Sequence, residues 1–292
     1  MIDLAKISTN LERTAEGEWR ARSSSAISYP DWGNEACFQV EDESFWFRHR
    51  NACILEVMKQ FPPPGAVFDI GGGNGFVAKS MQDAGFEVAL IEPGAAGARN
   101  ALRRGLHSVV CATLEDAAFA AESMPAIGLF DVVEHIENDQ AFLAELRAQL
   151  IPGGRLYITV PAYQALWSQE DHDAGHYRRY SRSGLHQVLE GSGFTIEFLT
   201  GFFQFLLPAI ALVRALPYRA GLAKSPPREE VAQQMKQQHV AGSQVTQKVL
   251  NWLERRELAA IRSRTPFRLG ASWLLIARKN SPGAAQSGTV KS

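Results

Sequence analysis

At 292 residues, with 46% hydrophobic and 21% charged residues, the chain can form one large domain or a domain with an added lobe. A formal net charge of −1 supplies no global field for nucleic acid or an anionic membrane, so no nucleic-acid partner is expected. Cys37, Cys53 and Cys111 are odd in number and lack paired spacing, which argues against a disulfide framework or zinc knuckle and for reduced thiols in a cytoplasmic protein.

Residues 1–22 mix charges and have no apolar core of a secretory signal. The whole of 1–43 reads as a polar, turn-rich segment. From Ser44, the apolar spacing of Trp46, Cys53, Ile54, Val57, Met58 and Phe61 predicts a helix over 44–61, stopped by Pro62-Pro63-Pro64-Gly65. Strands are predicted at 66–70, 86–91, 107–111, 126–133 and 156–160. A helix carrying Val77 and Met81 follows the first, and one over 141–150 precedes the fifth. Ser181 or Ser183 caps a further helix, and strands at 194–199 and 272–277 complete the count.

This alternation predicts an α/β fold: a Rossmann-like, doubly wound, mostly parallel seven-stranded sheet with helices on both faces. The main domain spans 44–280, with a late helical insertion at 202–265 and a disordered polar tail at 281–292. Within the insertion, residues 202–217 (FFQFLLPAIALVRALP) are strongly apolar but shorter than the roughly 20 residues of a bilayer span. Two readings stay open there: a pocket-capping helix, or a peripheral contact with membrane or lipid.

The chemistry begins at Phe68-Asp69-Ile70-Gly71-Gly72-Gly73-Asn74-Gly75-Phe76, where a strand runs into glycines and then a helix. Such a loop lets backbone approach a ligand, and the helix amino terminus adds free N–H groups. Glycine spacing alone leaves two ligands open, because Gly73 to Ala78 also fits the weaker G-x-G-x-x-A dinucleotide pattern. Asp69 shifts the balance, since a carboxylate beside a diphosphate is repelled while one beside an ammonium or sulfonium is attracted. Glu92, at the end of the second strand, is spaced to accept hydrogen bonds from ribose hydroxyls.

These residues, with Phe130-Asp131-Val132-Val133-Glu134-His135-Ile136, resemble the successive motifs of class I S-adenosylmethionine-dependent methyltransferases. The resemblance covers about residues 44 to 200 and the last strand. It is closest to the small-molecule branch that includes quinone-biosynthesis enzymes. Residues 43–51 (ESFWFRHRN) and 175–181 (GHYRRYS) resemble a bacterial subgroup of that branch whose substrate is unknown.

The resemblance implies S-adenosyl-L-methionine as cofactor, held by Asp69, Gly71, Gly73, Gly75, Glu92 and Asp131. Thr113 and Leu114 stand where the family holds adenine, although threonine replaces the usual aspartate. The 44–61 helix is expected to cover the cofactor, with Arg48 or Arg50 meeting a carboxylate.

On the acceptor side, Asp131, Glu134 and His135 lie where the fourth strand meets the crevice; the alternative is that Glu134 and His135 open the next helix on the surface. The polar run at 169–180 reads as a lid. His176, with His135 beside the crevice, is the candidate catalytic base, and Asp173, Tyr177, Arg178 and Arg179 are candidate acceptor contacts. The two arginines have the alternative of pairing with the acidic residues before them. His172 and His176 mimic a metalloprotease H-x-x-x-H, but Gly175 and the lack of a third ligand argue against it, and no metal ligand is assigned. The expected reaction is in-line methyl transfer to a small-molecule acceptor, or one linked to lipid or saccharide. A nicotinamide-dependent oxidoreductase and a non-catalytic S-adenosylmethionine-binding protein are the alternatives.

Overall fold

A computed structural model describes residues 2–22, 37, 38, 40–222 and 244–280. The chain begins with α1 (Leu4–Ile7) and a hairpin, β1 (Leu11–Arg13) and β2 (Trp19–Ala21), followed by the long α2 (Phe45–Gln60). Ser44 caps α2 by accepting from the Phe47 amide at 3.4 Å, and the prolines after Phe61 prevent its continuation.

Four units of strand and helix come next: β3 (Val67–Ile70) with α3 (Phe76–Asp83), β4 (Val88–Ile91) with α4 (Ala95–Arg103), β5 (Val109–Cys111) with α5 (Leu114–Ala117), and β6 (Met124–Phe130) with α6 (Asp139–Gln149). Then β7 (Leu150–Pro161) leads to α7 (Gln169–Ala174) and α8 (Arg182–Gly191), the latter capped by Ser181. β8 (Phe194–Phe202) precedes α9 (Leu207–Ile210), a π turn (Ala211–Ala215) and α10 (Leu216–Arg219). Finally α11 (Gln244–Arg262) leads to β9 (Ser272–Lys279).

The sheet runs β1-β2-β5-β4-β3-β6-β7-β9-β8. β5, β4, β3, β6 and β7 are parallel, and β9 inserts antiparallel between β7 and β8. All four residues of β3 and all four of β4 are buried, as expected for strands covered by helices on both faces.

The expected seven strands become nine. The added pair is the β1–β2 hairpin, which joins the edge through Trp19–Val110 and Arg20–Cys111 pairing. Residues 2–22 are therefore part of the fold. Leu4 and Leu11 enter the core, and the Ser8 hydroxyl donates to the Ala117 carbonyl at 2.6 Å. These strands are only three residues long and one side is polar, so no alternation long enough to announce them exists in the sequence.

The fourth strand ends at Phe130, short of the expected 133, because the chain turns there into a 3₁₀ turn, Val133–His135. The fifth begins at Leu150, ahead of the expected 156, and carries Pro152, Gly153 and Gly154 within it.

Helices α2 and α11 pack together on one face, Cys53, Ile54, Val57 and Met58 sharing a core with Ile261. Leu143, Leu146, Leu185 and Leu189 of α6 and α8 fill the other. Among the described residues no helix is long and apolar enough to cross a membrane. In the 202–217 stretch Phe202, Phe203, Ile210 and Ala215 are buried, while Leu212, Val213 and Leu216 face solvent. The expected tail at 281–292, and residues 223–243 of the insertion, lie outside the described residues.

Candidate active site

Strand order reverses between β4 and β6 on either side of β3, and open α/β sheets bind ligands beside the carboxyl ends of strands at such a point. The loop leaving β3 turns on Gly71, Gly73 and Gly75, with φ of 69°, 55° and 74°, a backbone region costly for any residue with a Cβ. Gly72 is fixed for another reason. A Cβ there would stand 2.1 Å from Leu90 Cδ1 and 2.7 Å from Asp69 Oδ2, so its lack of a side chain lets the loop lie against the Asp69 carboxylate. No local pattern in the sequence distinguishes Gly72 from its neighbours.

Asp69 is fully buried and neither of its oxygens has a hydrogen-bond partner. Burial, the dominant cause, raises its pKa to about 7; the nearby Arg50 charge lowers it and the Glu92 charge raises it. Glu92, also buried, accepts from the Gly73 amide through Oε2 at 2.8 Å and from the Gly94 amide through Oε1 at 2.7 Å. Burial raises its pKa as well, opposed by those two amides. The Asn74 amide group is held in turn by Glu41, which pairs with Arg104 at 2.8 Å, so residues before α2 brace the glycine loop.

Thr113 caps α5, its hydroxyl accepting from the Asp116 amide at 3.0 Å, and Leu114 is buried beside β5. Asp131 follows β6 with a left-handed φ of 59°. One of its oxygens accepts from the Thr159 hydroxyl at 3.0 Å and the other from Arg50. Of the two arginines on this helix, Arg50 is thus paired with a carboxylate of the chain itself.

Glu134 is 1% exposed, and its Oε2 has no partner. The surface-helix alternative for Glu134 thus fails, because the 3₁₀ turn rotates its side chain inward. Burial and the Asp131 charge push its pKa well above the usual carboxylate range. The His135 and His176 rings meet edge to face, centroids 4.7 Å apart. Burial and the neighbouring His176 lower the pKa of His135 to about 4.

His176 Nδ1 donates to Asp171 Oδ1 at 2.9 Å, and the same oxygen accepts from Arg179 Nε at 2.7 Å. Burial would raise the Asp171 pKa, but the bonds from His176 and Arg179 outweigh it and hold it at about 2. Asp171 was absent from the expected site; its i, i+5 spacing from His176 is the only trace in the sequence.

The acceptor-side arginines do not stand clear to receive an anion. Arg179 pairs with Asp171, while Arg178 pairs with Asp139 at 3.0 Å and donates to the Glu137 carbonyl. Tyr180 donates to the same Asp139 at 2.7 Å, so the lid is tied to the start of α6. Asp173 sits on the exposed side of α7, accepting from Gln169, and Tyr177 is 52% exposed with its amide bound to the Glu134 carbonyl. His172 is exposed beside Asp173, away from the cluster around His176.

A family model described as a methyltransferase domain matches residues 45–198, more than half of the chain. No protein of curated function matches in sequence. Among solved structures, phosphoethanolamine N-methyltransferase 2 of Haemonchus contortus, in complex with S-adenosyl-L-methionine, is 18% identical over 90% of this chain, with a TM-score of 0.53. This chain spans 62% of that enzyme's length. A putative methyltransferase of Haloferax volcanii, in complex with the Trm112 activator, is 15% identical over 86% of this chain and 97% of its own, with a TM-score of 0.52. The cyclase SpnF is 15% identical over 88% of this chain and 100% of its own, with a TM-score of 0.53. At such identities the likeness is one of fold. The family match, the glycine loop and its two buried carboxylates together place this chain among the class I S-adenosylmethionine-dependent methyltransferases.

Proposed function

We propose that this methyltransferase acts on a small-molecule acceptor, free or linked to a lipid or saccharide, that enters beside Glu134, His135 and His176. The observation that carries the cofactor half is Asp69, a fully buried carboxylate with two unpartnered oxygens against the glycine loop. A diphosphate brought there would add negative charge beside a buried carboxylate that makes no hydrogen bond; an ammonium or sulfonium would neutralise it.

S-adenosylmethionine, when bound, supplies an electrophilic methyl group. On this reading Asp69 takes its ammonium, Arg50 its carboxylate and Glu92 its ribose hydroxyls, with Gly71, Gly73 and Gly75 allowing close backbone approach and Asp131 bordering its methionine end. Leu114 and the Thr113 turn border the adenine. Positioning accounts for most of the rate enhancement, because holding donor and acceptor at near-attack distance replaces a bimolecular encounter.

On the acceptor side, His176 and His135 engage the acceptor heteroatom. Tying Nδ1 of His176 to Asp171 leaves Nε2 for that task. Tyr177 and Asp173 contact the outer part of the acceptor, and Arg178 and Arg179 hold the lid in shape through their carboxylates. The solvent-facing Leu212, Val213 and Leu216 support a peripheral lipid contact or a lipid-linked acceptor over a purely polar one.

Calorimetry with S-adenosylhomocysteine and, separately, with NAD tests the cofactor half. Binding of the first alone is expected, and binding of the second alone would reverse the assignment. His176→Ala is expected to slow turnover with little change in cofactor affinity; the opposite pattern would remove His176 from the acceptor side.

A further inference from the structure

Glu134 and His135, on the 3₁₀ turn after β6, meet His176 from the loop after α7. A carboxylate oxygen and one nitrogen from each imidazole all lie within 4.8 Å of one another. Glu134 contributes an oxygen that is buried and has no hydrogen-bond partner. Leaving a carboxylate in that state is costly unless a cation compensates it.

His176 is held in the way metal-binding imidazoles are held, and the His135 ring packs edge to face against it. His176 presents Nδ1 to Asp171 at 2.9 Å, and Asp171 is fixed by Arg179 at 2.7 Å and by the Ser168 amide at 2.9 Å. A carboxylate behind one ring nitrogen sets the tautomer and leaves the lone pair on the other.

We propose that Glu134, His135 and His176 bind a divalent first-row transition ion whose remaining positions take an oxygen of the methyl acceptor. The acceptor clause rests on the methyltransferase reading; the ion site itself does not. Two imidazoles and one carboxylate suit zinc, iron, cobalt or nickel better than magnesium or calcium, which favour all-oxygen sets. Three protein ligands leave at least one position open. Bonds of about 2.0–2.2 Å set ligand atoms roughly 3–3.5 Å apart, inside the 4.8 Å within which these three already lie. An ion there favours a hydroxyl or carboxylate oxygen as its ligand and disfavours a protonated amine.

A second buried group, His49, Cys53 and Glu257, does not compete. His49 Nε2 already bonds Glu257 at 2.9 Å, and the Glu257 oxygens take the Phe203 and Gln204 amides.

The test uses the full chain, free of any affinity tag and stripped with a chelator. It is titrated with Co2+ followed by visible absorption and with Zn2+ followed by calorimetry, while S-adenosylhomocysteine binding is measured in parallel. Roughly one equivalent of Co2+ should be taken up, with bands typical of a low-symmetry site. Glu134→Gln and His176→Ala should each abolish those bands with homocysteine-product binding retained, which also shows that the variants fold. Asp171→Asn should weaken uptake by about 10–100-fold, as loss of a partner behind a ligand does.

Chain that binds S-adenosylhomocysteine but takes up neither metal would overturn the proposal, as would uptake unchanged in both ligand variants. Metal uptake without S-adenosylhomocysteine binding would leave the ion site standing and sink the methyltransferase reading beneath its acceptor clause.

Discussion

The Arg50 guanidinium, projecting from α2, hydrogen-bonds the Asp131 carboxylate at the end of β6, joining residues 81 positions apart. Its charge also acts on Asp69 and Glu134, so one cation serves three carboxylates around the crevice. Arg50 is 11% exposed at its side chain, which limits solvent screening of these interactions.

Arg50→Ala should therefore weaken S-adenosylhomocysteine binding by about 10–100-fold, or roughly 1.4–2.7 kcal/mol. Arg50→Lys should fall between, because it keeps the charge and loses the planar fork. Calorimetry on both variants decides this, and wild-type affinity in the alanine variant would take Arg50 out of the cofactor site.

Asp69 yields a pH signature. Its carboxyl, carried by burial to about 7, must ionise to hold an ammonium, so cofactor affinity should fall as pH drops below about 7, approaching tenfold per pH unit. Asp69→Asn should lose both the affinity and its pH dependence.

The sign for stability is the reverse. A carboxyl with a raised folded pKa binds more protons in the native state, so stability is lost as pH rises from about 4 to 7. In the absence of ligand, Asp69→Asn should be more stable than wild type at pH 8, by up to about 4 kcal/mol, and nearly equal at pH 4. Urea unfolding at the two values checks it; a variant less stable at pH 8 would contradict the buried, unpaired state of Asp69.

Glu92 both accepts from the Gly73 and Gly94 amides and stands ready for the ribose. Glu92→Ala should weaken cofactor binding by at least about tenfold and cost about 1–3 kcal/mol of stability, the price of two amides left without their acceptor. A binding loss with an unchanged unfolding midpoint would mean that water replaces the carboxylate at the loop.

Glu257 of α11 accepts from His49 on α2 and from the amides of Phe203 and Gln204, tying the late insertion to the helix that carries Arg50. Glu257→Ala strands three donors, two of them buried, and should cost about 3 kcal/mol or more, read as a lowered melting temperature. Glu257→Gln keeps acceptor capacity for part of that set and should cost less.

What the sequence alone determined was local. Burial on both faces makes β4 a continuous apolar run and β3 one broken only by Asp69, left-handed backbone demands Gly71, Gly73 and Gly75, and Asp69 and Glu92 stand at the ends of adjacent strands. Each of these signals is complete within a few residues, so composition and spacing carry it.

The tertiary structure decided which distant groups meet. Nothing in the spacing of 2–22 announces that it will extend the sheet beside Val110, or that Glu257 will find His49 across 208 positions. Nor does a run of polar residues at 169–180 reveal that Asp171 will orient His176 while Arg178 and Arg179 are consumed by carboxylates. Side-chain pairing depends on the packed arrangement of whole elements, and burial then sets the protonation of each group; neither quantity exists until the chain has folded.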